Sequence, residues 1–298
     1  MSQSKPVSSV FITGAGGNLG QKLISHLLAR DWCERIVALD HMMPRRSAVA
    51  HSDRVEWVTA DLTDPSETGW REALAGVDAV VHFAAPNPYP DAPWSDACAS
   101  FDMTLNMLAA AARAGTRRAV FASSNHVMGQ YKDPPLCDGL TAGALTTALP
   151  LGSGMRWFSG REMVQGFAYA ASKLMGERAC LAEAHRSGGL TSVCVRIGWC
   201  QPGENRLETI NTSGLPGAEE STGPDTERDL RWFRNMWLSN RDFVAVIERA
   251  LLAEGNTWPQ PGIVVNGMSA NRNMPWDIKT TRRLIGYEPQ DDVWEHIA

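Results

Sequence analysis

The 298-residue chain is 44% hydrophobic and 20% charged, the balance of a soluble globular protein with one large domain or two small ones. A net charge of -5 argues against a nucleic-acid surface, which would show as a basic patch, and no run approaches the roughly 18 apolar residues of a membrane span. The six cysteines (33, 98, 137, 180, 194 and 200) are scattered without a Cys-x-x-Cys pair, so they read as buried free thiols, with no metal site. The N-terminus runs into a strand-like stretch rather than the apolar core of a secretion signal, so the expected home is the cytoplasm and the expected partner a small molecule.

In chain order, Val10-Phe11-Ile12 ends in Thr13-Gly14-Ala15-Gly16-Gly17-Asn18-Leu19-Gly20, after which Leu19, Leu23, Ile24, Leu27 and Leu28 recur with helical spacing. That is strand, glycine turn, helix. Further strands are expected at 35–40, 55–61, 78–85, 118–122 and 191–197, and helices at 95–114 and 167–185. Alternating strands and helices imply a doubly wound parallel α/β sheet, whose strands read as continuous apolar runs because both faces are covered. Residues 201–229 are rich in Pro, Gly, Glu, Asn and Thr without a clear period and read as a long loop or lid. A helix at 241–253 and a strand at 263–265 return to the sheet. The connection 130–166 is long and reads as a lid or a surface insertion. The expected division is a dinucleotide-binding domain over 1–198 and 237–267, and a small substrate-binding region over 199–236 and 268–298.

Three constellations carry chemistry. Gly14, Gly17 and Gly20 follow a strand and open a helix, whose free N–H groups and positive end suit a pyrophosphate. Asp40 closes the second strand, where a carboxylate accepts hydrogen bonds from both ribose hydroxyls and repels a 2'-phosphate, so NAD is expected over NADP. Arg45 and Arg46 stand nearby and read as a solvated basic loop. In the segment FASSNHVMGQ, residues 121–130, Ser123, Ser124, Asn125 and His126 crowd the end of a core strand. Tyr169 and Lys173, four apart at the start of a helix, share one face, so the ammonium would favour the phenolate and make Tyr169 a general base.

The order of Thr13-Gly14-x-x-Gly17-x-x-Gly20, Asp40, Asp61-Leu62, Ala84-Ala85, Ser123-Ser124, Tyr169-x-x-x-Lys173, Arg196 and Ser239-Asn240-Arg241-Asp242-Phe243-Val244 resembles the extended short-chain dehydrogenase/reductases, or NAD-dependent epimerase/dehydratase family, over nearly the whole chain. Within it, FASSNHVMG and WLSNRDFV look most like uronate dehydrogenases, which oxidise the C1 hydroxyl of a uronate to a lactone. The resemblance implies that Ser124 holds the reacting hydroxyl, that Tyr169 removes its proton, and that Lys173 lowers the Tyr pKa and binds the nicotinamide ribose. It also implies that Asn18, Leu19 and Ser123 contact the cofactor, that Asp61 and Leu62 flank the adenine, and that Ala84 and Ala85 keep side chains clear of it. Asn125 and His126 would reach the substrate, with Asn87 and Trp199 as further parts of its wall and Arg231 or Arg234 as partner of a carboxylate. A homodimer is common in the family.

Three features depart from the pattern. Ser100 stands where the family often has an Asn that completes a proton relay, Trp199 replaces a small Ser after Arg196-Ile197-Gly198, and the stretch from His126 to Tyr169 is longer. The expected activity is therefore NAD-linked oxidation of a sugar or sugar acid. One alternative is a nucleotide-sugar epimerase that retains its NAD; a non-catalytic regulator would lack the Ser, Tyr and Lys that are present here.

Overall fold

The computed structural model describes residues 6–43, 52–87, 89, 91–158, 161–213, 224–295 and 297; Arg45 and Arg46 lie outside them. Its elements are β1 (Ser9–Thr13), α1 (Asn18–Leu28), β2 (Arg35–Asp40), β3 (Val55–Thr59), α2 (Gly69–Glu72), β4 (Ala79–His82), α3 (Trp94–Arg113) and β5 (Arg118–Ser124). They continue with β6 (Met155–Phe158), β7 (Met163–Gly166), α4 (Ala168–Ser187), β8 (Thr191–Ile197), α5 (Thr226–Asn235), α6 (Asn240–Leu252), β9 (Gly262–Gly267) and α7 (Lys279–Ile285).

Seven strands form one sheet in the order β3-β2-β1-β4-β5-β8-β9, and every pairing in it is parallel. The period-2 alternation of strand side chains fills both faces. Val10 and Ile12 of β1 turn to one side, where they pack with Leu23, Ile24 and Leu27 of α1 and with Val246 and Ile247 of α6. Phe11 turns to the other, where it joins Trp70, Met107, Leu108 and Ala111. The chain order reverses between β1 and β4, so their C-terminal ends flank a crevice that no connection crosses.

A third apolar cluster lies beyond the sheet and joins Met128, Met155 and Trp157 to Trp199, Trp232, Phe233 and Met236 and to Met268 and Trp276. It explains the long connection after β5. Gly154 N–H donates to His126 O at 3.0 Å, Gly143 N–H to Met274 O at 3.0 Å and Leu145 N–H to Pro275 O at 2.8 Å, while β6 and β7 pair as an antiparallel hairpin. The stretch 130–166 is thus pinned between the end of β5 and the C-terminal region. The segment 201–229, read from sequence as a loop or lid, contributes the start of helix α5, whose Trp232 and Phe233 enter this cluster.

Candidate active site

The crevice between the ends of β1 and β4 opens into a cavity of about 910 Å³. One end is built by the glycine turn. Gly14 has φ +67°, and a Cβ there would lie 2.9 Å from Ala84 N; a Cβ on Gly20 would overlap Gly14 O. Gly14 therefore lets the backbone of β1 approach that of β4, and Gly20 seats α1 against the turn. Helix α1 starts behind Gly17 with no side-chain cap and no acid in its first turn, which leaves its positive end to face the cavity that Gly14, Gly17, Asn18 and Leu19 line. Asn18 Nδ2 donates to Cys200 O at 3.2 Å and ties the turn to the chain after β8.

Asp40, at the end of β2, lines the same cavity. Its Oδ2 accepts the Gly16 N–H at 2.8 Å and its Oδ1 the His41 N–H at 2.8 Å, so the carboxylate is fixed across the mouth of the glycine turn. Gly16, passed over in the spacing pattern, is thus the residue that orients the acid; a Cβ on it would come within 3.1 Å of Asp40 Oδ2. Asp61 and Leu62 line the wall beyond. Asp61 Oδ1 caps its own turn through Thr63 N–H and Oγ1 at 2.8 and 2.7 Å. Ala84 and Ala85 line the opposite wall without projecting into it. The dinucleotide-sized space, the Cβ-free approach at Gly14 and the carboxylate at its far end fit NAD.

At the other end, β5 delivers Ser124, and Asn125, His126 and Tyr169 line the cavity beside it. The Tyr169 ring stands edge-on to His126, with centroids 5.4 Å apart. Lys173 lies one turn further along α4, beneath the phenol, with Nζ 5.1 Å from the Phe121 ring centre and 5.8 Å from that of Tyr169. Burial pushes Tyr169 up to about 12 against the opposing hydrogen bond from Ser124, and burial lowers Lys173 to about 8. The depressed phenol expected from the Tyr-Lys spacing is therefore not found: desolvation by burial is the largest influence on the phenol. Asn125 Nδ2 donates to Ile197 O at 3.1 Å, while Asn125 Oδ1 and His126 Nδ1 are buried without a partner. Burial holds His126 at about 4, so it is neutral.

Several expected site residues fall elsewhere. The Ser123 hydroxyl donates to Glu177 Oε1 at 2.5 Å on the face of the sheet that meets α4, and Ser123 does not line the cavity. Asn87 accepts the Tyr89 N–H at 3.2 Å, and Tyr89, not Asn87, lines the wall. Arg231 is exposed and paired with Glu227 at 3.2 Å, and Arg234 packs over the Trp294 ring. Neither reaches the cavity, because α5 turns Trp232 and Phe233 inward and Arg231 and Arg234 away from it. Trp199 does line it, held edge-on by Phe233 at 5.6 Å and by backbone bonds to Met236 and Leu238. None of the described residues of 130–166 lines it, so that stretch buttresses the wall instead of covering the site.

A family model described as the NAD dependent epimerase/dehydratase family matches residues 10–199. The L-arabinose 1-dehydrogenase (NAD(P)(+)) of Haloferax volcanii is 31% identical over 96% of this chain and 98% of its own length. The chain belongs to the NAD-dependent epimerase/dehydratase family. Among further relatives in the family, the uronate dehydrogenase of Pseudomonas putida is 26% identical over 96% of this chain and 85% of its own. A crystal structure of a uronate dehydrogenase variant from Agrobacterium tumefaciens complexed with NAD shares the fold. It superposes with a TM-score of 0.67 at 24% identity, over 97% of this chain and 87% of that one.

Proposed function

We propose that this protein is an NAD-dependent dehydrogenase that oxidises the C1 hydroxyl of a neutral aldose to the lactone. The observation that carries the reading is the meeting of Ser124 and Tyr169 at one end of a cavity whose other end is closed by the glycine turn and Asp40. Bound there, NAD would supply the hydride acceptor for the substrate carbon. The chain's own groups do the rest: Ser124 holds the reacting hydroxyl, Tyr169 takes its proton, and Lys173 supplies positive charge beneath the phenol. Gly14, Gly17, Asn18, Leu19, Asp40, Asp61, Leu62, Ala84 and Ala85 would hold the dinucleotide.

The charge of the wall supports a neutral substrate. Among the described lining residues there is no Lys or Arg. Besides Arg231 and Arg234, Arg206 is exposed and paired with Glu204 at 3.0 Å, and Lys22 donates to Gln201 O at 2.6 Å. In sequence, 214–223 holds two glutamates and no basic residue. A carboxylate brought into this cavity loses water and meets no Lys or Arg among the described lining residues, and an unpaired buried ion costs several kcal/mol. Trp199 instead offers an aromatic face to sugar C–H groups. The similarity to the arabinose dehydrogenase supports the same class.

The test is NADH absorbance at 340 nm with NAD and matched pairs of aldose and uronate, such as galactose and galacturonate. The neutral sugar is expected to exceed its acid by roughly 100-fold in kcat/KM. A preference for the acid overturns the substrate class, and absence of NADH from every sugar overturns the dehydrogenase.

A further inference from the structure

The carboxylate of Glu177 is buried at the point where three elements meet. Its Oε1 accepts the Ser123 hydroxyl of β5 at 2.5 Å and Nε of Arg196 in β8 at 2.8 Å, and its Oε2 accepts Arg196 Nη2 at 2.9 Å. The side chains of Glu177 and Arg196 are each 3% exposed. Ser123 and Arg196 are register partners across β5 and β8, so their side chains leave the same face of the sheet, toward α4.

Each corner of this triangle adjoins a working part of the site. Ser123 precedes Ser124. Arg196 precedes Ile197, Gly198 and Trp199, all of which line the cavity. Glu177 follows Lys173 by one helical turn and Tyr169 by two, about 12 Å along α4. One side chain thus fixes the distance between the helix that carries the base and the two strands that carry the hydroxyl-binding Ser and the substrate wall.

We infer that Glu177 is a positioning residue: through Ser123 and Arg196 it sets the first two turns of α4 against β5 and β8, and so sets where Tyr169 meets the hydroxyl held by Ser124. Stability alone does not account for the arrangement, because a buried ion pair is commonly matched or exceeded by apolar groups of similar volume. A two-pronged guanidinium–carboxylate contact with a third bond from Ser123 gives a fixed orientation, which an apolar contact does not. A displacement near 1 Å at a reacting group is enough to cost about 100-fold in rate.

The inference rests on the dehydrogenase reading for its activity readout, so the test carries a second readout that needs no substrate. Three variants are compared with the parent: Ser123→Ala, Glu177→Gln, and the apolar pair Glu177→Leu with Arg196→Met. Turnover is expected to fall about 100-fold in the pair and in Glu177→Gln, and several-fold in Ser123→Ala, while NAD affinity measured by titration stays within about 3-fold. Hydrogen exchange at amides 168–173 is expected to quicken about tenfold in the same variants while the strands stay protected. Unchanged exchange at 168–173 overturns the inference whether or not the parent oxidises a sugar. So does parental turnover in the apolar pair. If the pair fails to fold, Glu177→Gln and Ser123→Ala decide by the same two readouts.

Discussion

Burial acts in opposite senses on Tyr169 and Lys173, raising one to about 12 and lowering the other to about 8. Both shifts disfavour charge, so the phenol is protonated at neutral pH. Tyr169 must lose its proton to work as a base, so oxidation is expected to quicken as pH rises from 6 to 8. Below about 8 Lys173 keeps its proton, and its charge favours the phenolate; above that value the support fades. Lys173→Met should therefore move the rise in kcat/KM to higher pH by about one unit or more, as measured across pH 6 to 10. A profile that keeps its position would show that the ammonium does not support Tyr169. At this scale the sequence was informative where spacing alone fixes proximity: a Tyr and a Lys four apart on a helix share a face. It misled on the pKa, because both groups are buried against residues distant in the chain, His126 beside the Tyr169 ring and Phe121 under the Lys173 ammonium.

Among the elements, α4 and the 3-10 segment Asn125–Lys132 that follows β5 form two sides of the substrate end. That segment ends in Lys132, whose ammonium is fully buried and meets Asp229 of α5 at 2.9 Å and Asp133 at 3.1 Å. Arg228 and Arg156 complete the cluster on Asp133, so the β6–β7 hairpin, α5 and the substrate wall are joined by charge. Lys132→Met removes the buried cation and leaves Asp229 and Asp133 to the partly exposed Arg228 and Arg156, so it is expected to lower unfolding free energy by about 3 kcal/mol in urea titration. A loss below about 1 kcal/mol would mean that the arginines alone hold the junction. The strands and helices of the sheet were legible because the strands are continuous apolar runs and the helices repeat their apolar residues with helical spacing. The stretch 130–166 was not, since Gly143 and Leu145 find their hydrogen-bond partners about 130 residues away at Met274 and Pro275. Nor was Ser123: its neighbour Ser124 shares its chemistry, and only the sheet's alternation tells which faces the cavity.

In the whole molecule, a single reversal of strand order places the glycine turn of β1, the acid of β2, the Ala84-Ala85 wall after β4 and the Ser124 end of β5 around one crevice. That placement was readable from the order of motifs, because a doubly wound sheet gathers the C-terminal ends of its strands. Which side chain would meet a charged group of the substrate was not readable. Arg231 and Arg234 stand near the right place in the chain, but α5 presents them to solvent and to Trp294, and helix orientation is decided by the Trp232 and Phe233 contacts of the third apolar cluster. Among the described residues, no helix is long and apolar enough to cross a membrane.

Tyr169→Phe asks in one substitution whether Tyr169 is the proton acceptor of a dinucleotide-dependent oxidation. The ring and its contact with His126 remain, and only the hydroxyl is lost. NAD affinity is expected to stay within about 2-fold of the parent and turnover to fall by about 100-fold or more. Turnover within a few-fold of the parent, with NAD still bound, would contradict it.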